Sequence, residues 1–190
     1  MIENMIRPRI NGALRAAGRW LAGAGLKPAQ LTVLGLLITV GGAYLVASGR
    51  LIAGGTLVGV GALADALDGS VARAAGTAGP RGALLDSVMD RIGETAMFAA
   101  VAYTVSDDPV LVALAVASVG ASLITSYLRA KAEGAGAEGR AGIMGRGERV
   151  ALYCLGVIAG QLGPMLWAMV VLTWLTVIQR FISTWQQLET

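Results

Sequence analysis

Six long apolar segments, each bounded by glycine, proline or charged residues, dominate this sequence of 190 residues. A helix needs about 20 apolar residues to cross the hydrocarbon core of a bilayer, and most of these segments approach or exceed that length. Only 14% of the residues are charged, against about 25% in an ordinary soluble domain. The pattern predicts an all-α integral membrane protein with six transmembrane helices, roughly at residues 31–49, 52–73, 82–105, 109–130, 148–163 and 164–182.

Turn residues separate the segments. Short breaks are expected at Ser48-Gly49-Arg50, at Asp107-Asp108-Pro109 and at Gly163-Pro164, with glycine-rich connections at 76–82 and 134–147. The length of the chain favours one domain over residues 1–190.

Basic residues lie mainly before the first segment and in the second and fourth connections, whereas the remaining connections hold Arg50 and the acidic pair Asp107 and Asp108. Because cytoplasmic loops are enriched in Lys and Arg, we expect a multi-pass protein of the inner (plasma) membrane with both termini in the cytoplasm. The net charge of +3 follows this alternation, so we expect no nucleic-acid partner.

Residues 5–22 combine apolar positions with several arginines and contain no uninterrupted apolar run. This pattern favours an amphipathic helix lying in the headgroup layer over a cleaved signal peptide.

Several carboxylates interrupt the second and third apolar segments, although a charge at the centre of a membrane helix costs about 2.5–3.5 kcal/mol on insertion scales. Asp65 and Asp68 are three residues apart and Asp86 and Asp90 four apart, so each pair shares one helix face. A short connection makes the two helices antiparallel neighbours, and all four carboxylates can therefore converge near the cytoplasmic ends. Hard divalent metals are the natural partners of such a cluster. The chain has no histidine, which excludes histidine-based acid–base chemistry and most zinc sites.

Small and cationic residues accompany the carboxylates. Gly69 follows Asp68, and Gly82 precedes Asp86 by one helical turn, so a bulky group can approach the backbone at both places. Arg73 shares a helical face with Asp65 and Gly69 and can bind a phosphate with two hydrogen bonds. Two other interpretations remain: a bundle whose aspartates pair with nearby arginines, and a transporter with an intramembrane cation or proton pathway.

The spacing Asp65-x2-Asp68-Gly69-x2-Ala72-Arg73-x8-Gly82-x3-Asp86-x3-Asp90 resembles the signature of the CDP-alcohol phosphotransferase family at every defined position. The six-segment layout with an N-terminal interfacial helix is similar to that family as well. The resemblance implies an enzyme in which an acceptor hydroxyl attacks the β-phosphorus of a CDP-linked lipid and CMP is released. A homodimer is also implied.

The resemblance further implies roles for individual residues. Two magnesium ions, or manganese in their place, would be bound by Asp65, Asp68 and Asp86 with Asp90 nearby, and Asp90 would be the general base. The CDP-lipid would be bound by Thr32, Asp68, Gly69, Ala72, Arg73 and Gly82.

The fourth connection and the final segment resemble those of the actinobacterial phosphatidylinositol phosphate synthases, a branch of the family. This implies CDP-diacylglycerol as the donor, inositol 1-phosphate as the acceptor, and membrane lipid as the surroundings. The acceptor phosphate would be bound by Arg129, Arg149 and Arg180, with Lys131 and Arg146 as further candidates. The alternatives are a phosphatidylglycerophosphate synthase that uses glycerol 3-phosphate and, from another class, a transporter or a non-catalytic lipid-binding protein.

Overall fold

The computed structural model describes residues 16, 18–21, 23 and 25–189. Six long helices account for most of them: α1 (Pro28–Ala47), α2 (Leu51–Ala74), α3 (Pro80–Thr104), α4 (Pro109–Gly134), α5 (Arg146–Ile158) and α6 (Leu162–Leu188). The predicted all-helical fold is confirmed for the part of the chain that is described.

Proline marks the beginning of three of these helices. Pro28, Pro80 and Pro109 are the first residues of α1, α3 and α4, a position where the missing N–H costs nothing and the fixed φ suits the helix. Asp108 then caps α4, because its carboxylate accepts hydrogen bonds from the backbone N–H groups of Val110 and Leu111 at 2.9 and 3.2 Å. The connections at 48–50 and 107–109 therefore lie where the sequence predicts them.

One predicted boundary is wrong. The break between the last two helices lies at 159–161, where Gly160 adopts a φ of 67°, and Gly163 and Pro164 belong to the first turn of α6. Proline is tolerated in the first turn, so Gly163-Pro164 continues a helix that has already begun. A smaller difference is that α6 extends to Leu188, beyond the expected end at residue 182.

Four helices, α1, α2, α4 and α6, are long and apolar enough to cross a membrane. The third helix has 25 residues, but charged side chains occupy its first half. The fifth has 13 residues, which corresponds to about 20 Å and is shorter than the roughly 30 Å of a hydrocarbon core. The chain is thus a multi-pass membrane protein.

The helix ends that carry the polar residues all lie at one end of the bundle. The opposite end is held by an apolar core to which all six helices contribute. There Tyr153 is fully buried, donates a hydrogen bond to the carbonyl of Met97 at 3.0 Å and packs edge-to-face on Phe98. This core fixes the relative positions of α3 and α5, and both helices enter the polar end.

Helices α1 and α2 pack backbone to backbone. A Cβ atom added to Gly42 would lie 2.8 Å from the carbonyl oxygen of Gly54, and one added to Gly35 would lie 3.0 Å from that of Gly61. Small residues permit this close approach of membrane helices. It brings the beginning of α1, with Thr32, against the end of α2, with Asp68.

The described part of the predicted interfacial helix, residues 16 and 18–21, is helical, and the rest of 5–22 lies outside the described residues. Gly18 packs directly on α2, since a Cβ there would lie 2.8 Å from the carbonyl carbon of Ser70. The N-terminal segment therefore contacts the bundle at its polar end.

Candidate active site

The four motif aspartates lie on the facing surfaces of α2 and α3. One carboxylate oxygen each of Asp65, Asp68 and Asp86 lies within 4.8 Å of the others. Asp90 lies one turn further along α3, and it is buried like Asp65 and Asp68, whereas Asp86 is half-buried. Three of the four carboxylates thus converge as the i, i+3 and i, i+4 spacing predicts, and Asp90 is not part of that group of three.

This arrangement fits a divalent metal. Three carboxylate oxygens from two rigid helices converge in a partly buried position, and hard cations such as Mg²⁺ and Mn²⁺ prefer oxygen ligands. Without a cation, three carboxylates at this separation repel one another. The donor set present therefore suits the group that the family resemblance implies.

A cavity of about 220 Å³ opens beside the aspartates, between α1, α2 and the beginning of α3. Thr32 Oγ1 donates a hydrogen bond to Asp68 Oδ2 across this cavity, and Arg73 donates to Ser70 Oγ at 3.2 Å. All six residues predicted to bind the CDP-lipid line it, namely Thr32, Asp68, Gly69, Ala72, Arg73 and Gly82.

A second and larger cavity, of about 720 Å³, lies on the other side of the aspartates. Asp86 and Asp90 line one side of it. Four of the five predicted acceptor-phosphate residues, Arg129, Arg146, Arg149 and Arg180, also line it. Lys131 does not; its ammonium group lies 5.7 Å from the centre of the Tyr127 ring, on the exposed surface of α4.

Two of these arginines are buried and held by partners within the protein. Arg149 donates to both carboxylate oxygens of Glu94, at 2.7 and 3.3 Å, and to the carbonyl of Met144 at 3.1 Å. Arg180 donates to the carbonyls of Thr125 and Ala141 at 2.8 and 2.9 Å. Both guanidinium groups are thereby fixed in orientation at the cavity wall.

The other two arginines are more exposed. Arg129 forms an exposed ion pair with Glu133 at 2.8 Å. Arg146 reaches into the aspartate cluster, where it pairs with Asp65 and with Asp90. The nearby Arg91 approaches Asp90 only to 3.8 Å, so the aspartates draw their strongest pairing from a residue distant in sequence.

Glu94 is the residue whose role the sequence did not reveal. It is buried on α3, one turn beyond Asp90, and its pairing with Arg149 joins α3 to α5. The sequence shows Glu94 as a fifth acid, four residues after Asp90 and on the same helix face. Its partner Arg149 lies 55 residues away, so local spacing cannot identify the pair.

Comparison with known proteins agrees with this geometry. The model of the family described as CDP-alcohol phosphatidyltransferase matches residues 26–183. The archaetidylinositol phosphate synthase of Pyrococcus horikoshii is 34% identical over 187 residues, which cover 97% of each chain. The phosphatidylinositol phosphate synthase of Mycolicibacterium smegmatis is 33% identical over 189 residues, covering 96% of this chain and 82% of the relative.

A solved structure is similar over nearly the whole chain. It is the crystal structure of Mycobacterium tuberculosis phosphatidylinositol phosphate synthase with CDP-DAG bound, which is 31% identical with a TM-score of 0.83 and is matched over 90% of this chain and 93% of that one. The same protein in complex with manganese and citrate also gives a TM-score of 0.83, at 31% identity over 90% of this chain and 88% of that one.

Proposed function

This chain belongs to the CDP-alcohol phosphatidyltransferase family, and we propose that it transfers a phosphatidyl group from CDP-diacylglycerol to inositol 1-phosphate. The observation that carries the proposal is a single cavity lined by opposite charges. Asp86 and Asp90 form its aspartate wall, and Arg149 and Arg180 form its arginine wall. An acceptor that holds both a reactive hydroxyl and a phosphate can meet both walls at once. The inositol phosphate in the names of the relatives supports this acceptor.

In the proposed reaction, a hydroxyl oxygen of inositol 1-phosphate attacks the β-phosphorus of the CDP-lipid. The new P–O bond forms as the bond to the CMP oxygen breaks, so the products are phosphatidylinositol phosphate, CMP and a proton. Asp90 accepts the proton as general base, which requires a buried carboxylate that faces the acceptor cavity.

Two magnesium ions, with manganese as a substitute, are the proposed cofactors. Asp65, Asp68 and Asp86 would hold them, with Asp90 beside them; this is supported by the convergence of the first three carboxylates and by the manganese complex of the M. tuberculosis protein. When bound, such ions neutralise diphosphate charge and stabilise the leaving phosphate.

The CDP moiety is proposed to occupy the smaller cavity. Both Gly69 and Gly82 line it. A Cβ built on Gly69 would lie 3.3 Å from Arg73 Nη1, whereas one built on Gly82 would meet no atom of the other described residues within 4 Å beyond its own helix backbone. Arg73 borders the same space with an exposed side chain, which allows its guanidinium to turn from Ser70 to the diphosphate. Thr32 holds Asp68 from α1 and so orients a proposed metal ligand.

The acceptor phosphate is proposed to bind between Arg149 and Arg180, with Arg129 and Arg146 as further contributors. The predicted contribution of Lys131 is not retained, because Lys131 does not line this cavity. The two buried guanidinium groups are oriented by Glu94 and by backbone carbonyls, and both face the cavity. Converging arginines suit a doubly charged phosphate because each can donate two parallel hydrogen bonds.

The membrane arrangement completes the proposal. We infer six crossings, an interfacial helix at 5–22, a cytoplasmic active site in the inner (plasma) membrane, one domain over 1–190 and a homodimeric assembly. The basic connections at the polar end of the bundle support the orientation. The charged half of α3 and the short α5 face the polar cavities, where irregular or charged segments are tolerated within a membrane.

The test is CMP release by the purified protein with CDP-diacylglycerol and magnesium, comparing inositol 1-phosphate, inositol and glycerol 3-phosphate. We expect turnover with inositol 1-phosphate and its loss after chelation of the metal. Preferred use of glycerol 3-phosphate would retain the enzyme class and overturn the acceptor. Binding of CDP-diacylglycerol without CMP release from any acceptor would favour the lipid-binding interpretation.

A donor with an archaetidyl group is a second candidate, because the Pyrococcus relative matches 97% of this chain. The names of the relatives differ in the lipid and agree in the inositol phosphate. The same assay with an archaetidyl donor, at matched detergent and donor concentration, distinguishes the two lipids by the ratio of their kcat/KM values.

A further inference from the structure

Arg146 has an unusual position for an arginine assigned to a phosphate pocket. It is the first residue of α5, yet its guanidinium lies inside the aspartate cluster. One terminal nitrogen donates to Asp65 Oδ2, and the other lies 2.6 Å from Asp90 Oδ1. A single side chain thus bridges one carboxylate of α2 and one of α3.

This bridge competes with a metal ion. Asp65 belongs to the three carboxylates that converge on one position, and the oxygen that accepts the Arg146 hydrogen bond has that lone pair engaged. A divalent ion bound to the same carboxylates would also meet a fixed positive charge at contact distance, and like charges so close in a weakly polar site repel strongly. Metal binding at the cluster and the Arg146 bridge therefore oppose each other, and a bound metal favours the withdrawal of Arg146.

The larger cavity has room for the Arg146 side chain when it leaves the aspartates. It lines the larger cavity together with Arg149 and Arg180, and about a third of its side chain is exposed. Its neighbour Gly147 has no atom within 4 Å of an added Cβ, so the space beside α5 is open. Arg149 and Arg180 are instead held by Glu94 and by backbone carbonyls, all outside the aspartate motif.

We propose that Arg146 is a built-in counter-cation of the aspartate cluster, which exchanges with divalent metal and, once displaced, binds the anionic group of the acceptor. The second half rests on the proposed function; the first half concerns the metal alone. Binding of metal would release a cation into the acceptor cavity, and binding of the acceptor phosphate would hold that cation away from the aspartates. By thermodynamic linkage each ligand must then strengthen the other by the same factor.

The first experiment measures the affinity of the substrate-free protein for Mn²⁺, by electron paramagnetic resonance of free Mn²⁺, in wild type, Arg146→Ala, Arg146→Lys and Arg91→Ala. We expect Arg146→Ala to bind Mn²⁺ at least tenfold more tightly than wild type. Arg146→Lys should also bind more tightly, because an ammonium group keeps the charge but lacks the planar fork that bridges two carboxylates.

Arg91→Ala is the matched control, because Arg91 also borders Asp90 but at 3.8 Å. Its Mn²⁺ affinity should stay within about threefold of wild type. Unchanged affinity in both Arg146 variants, or an equal gain in Arg91→Ala, would overturn the exchange, the latter because it would show only a general effect of nearby charge. Retained helicity and monodispersity establish that the variants are folded.

The second experiment repeats the Mn²⁺ titration with saturating inositol 1-phosphate. In wild type we expect the Mn²⁺ affinity to rise about five- to tenfold, and in Arg146→Ala this coupling should disappear. Equal coupling in both proteins would overturn the role of Arg146 at the acceptor. Failure of wild type to bind inositol 1-phosphate would count against the proposed function, while tighter Mn²⁺ binding by Arg146→Ala would still support the exchange.

Discussion

The two walls of the large cavity are built on opposite principles. The aspartate wall, taken here as Asp86 and Asp90 together with the neighbouring Asp65 and Asp68 of α2, brings together carboxylates that repel one another. Arg146 is its strongest internal counter-charge among the described residues. The arginine wall contains cations whose charges and donors are already engaged, Arg149 by Glu94 and Arg180 by two carbonyls. The aspartate wall needs a bound cation to balance its negative charge. The arginine wall is already ordered by hydrogen bonds within the protein before a ligand binds.

This difference predicts that the two walls affect different kinetic parameters. A site of converging like charges gains most of its order from the ion it binds, and its residues act on the chemistry. A site held by internal hydrogen bonds loses little side-chain entropy when a ligand binds, and its residues orient the acceptor. Substitutions in the aspartate wall should therefore reduce kcat, whereas those in the arginine wall should raise the KM for the acceptor.

The largest effect is expected for Asp90→Asn. The substitution retains shape but removes the proposed base and one negative charge of the cluster, and loss of general-base catalysis costs about 10²–10⁴-fold in rate. We expect kcat for CMP release to fall about 10³-fold, measured at saturating metal, donor and acceptor.

Asp107→Asn is the matched control, since Asp107 is exposed in the connection at the opposite end of the bundle. It should retain full activity. A decrease of less than tenfold in Asp90→Asn, with metal binding intact, would assign the base elsewhere and remove the proposed division between the two walls.

Predictability from sequence follows the same division. The aspartate wall could be predicted because its residues lie on two consecutive helices at i, i+3 and i, i+4 spacing, so helical geometry alone brings them together. The metal preference then followed from the chemistry of carboxylates. The structure adds Arg146, which comes from α5 and which local spacing does not place among the aspartates.

The arginine wall could be proposed only by resemblance to a family. Its residues come from α4, α5 and α6, and no periodicity indicates which cations share a cavity. Lys131 illustrates the problem: it lies two residues from Arg129, yet that separation turns it away from the cavity that Arg129 lines. The pairing of Glu94 with Arg149 depends on tertiary packing in the same way.

The second largest effect is expected for Arg180→Lys, which tests the arginine wall directly. Arg180 uses two different nitrogen atoms, Nε and Nη1, to donate to Ala141 and Thr125. Lysine keeps the charge, but all its donors lie on one nitrogen and cannot reproduce this spread-out set of hydrogen bonds together with one to a phosphate. Hydrogen bonds to charged groups are worth about 1.5–3 kcal/mol, so kcat/KM for inositol 1-phosphate should fall about 10- to 100-fold.

Steady-state kinetics with each substrate varied in turn checks this expectation. The KM for the CDP-lipid should stay within about twofold of wild type, because Arg180 does not line the smaller cavity. An equal rise in both KM values would contradict the assignment of this wall to the acceptor.

A smaller effect is expected for Glu94→Gln, because Glu94 acts through Arg149 as a positioning residue. The amide keeps one acceptor for the guanidinium but leaves a buried charge without its counter-ion, which also destabilises the fold. We expect the KM for inositol 1-phosphate to rise about five- to tenfold and the melting temperature to fall, with kcat nearly unchanged.

The conservative variant Glu94→Asp separates positioning from stability. It restores the negative charge, so the melting temperature should recover more than the KM, because the shorter side chain cannot hold both guanidinium nitrogens in the same place. Recovery of both quantities together would indicate that Glu94 only stabilises the bundle.

The smallest effect is expected for Gly82→Ala. This substitution tests whether the CDP group of the donor fills the open space beside Gly82 in the smaller cavity, as a metal ion is proposed to fill the aspartate cluster. In the part of the chain that the structure describes, no atom beyond the helix's own backbone lies within 4 Å of the added Cβ. Alanine favours a helix over glycine by about 0.5–1 kcal/mol. The ligand-free protein should therefore be as stable as wild type or slightly more stable. If the CDP moiety approaches this backbone, the new methyl group contacts only the ligand and no protein side chain, and the KM for the CDP-lipid should rise about three- to fivefold.

Gly120→Ala is the control, since its added Cβ is equally free of contacts and Gly120 does not line the smaller cavity. An unchanged KM for the CDP-lipid in Gly82→Ala would mean that the nucleotide does not contact this face of α3 and that the donor does not occupy the open space beside Gly82.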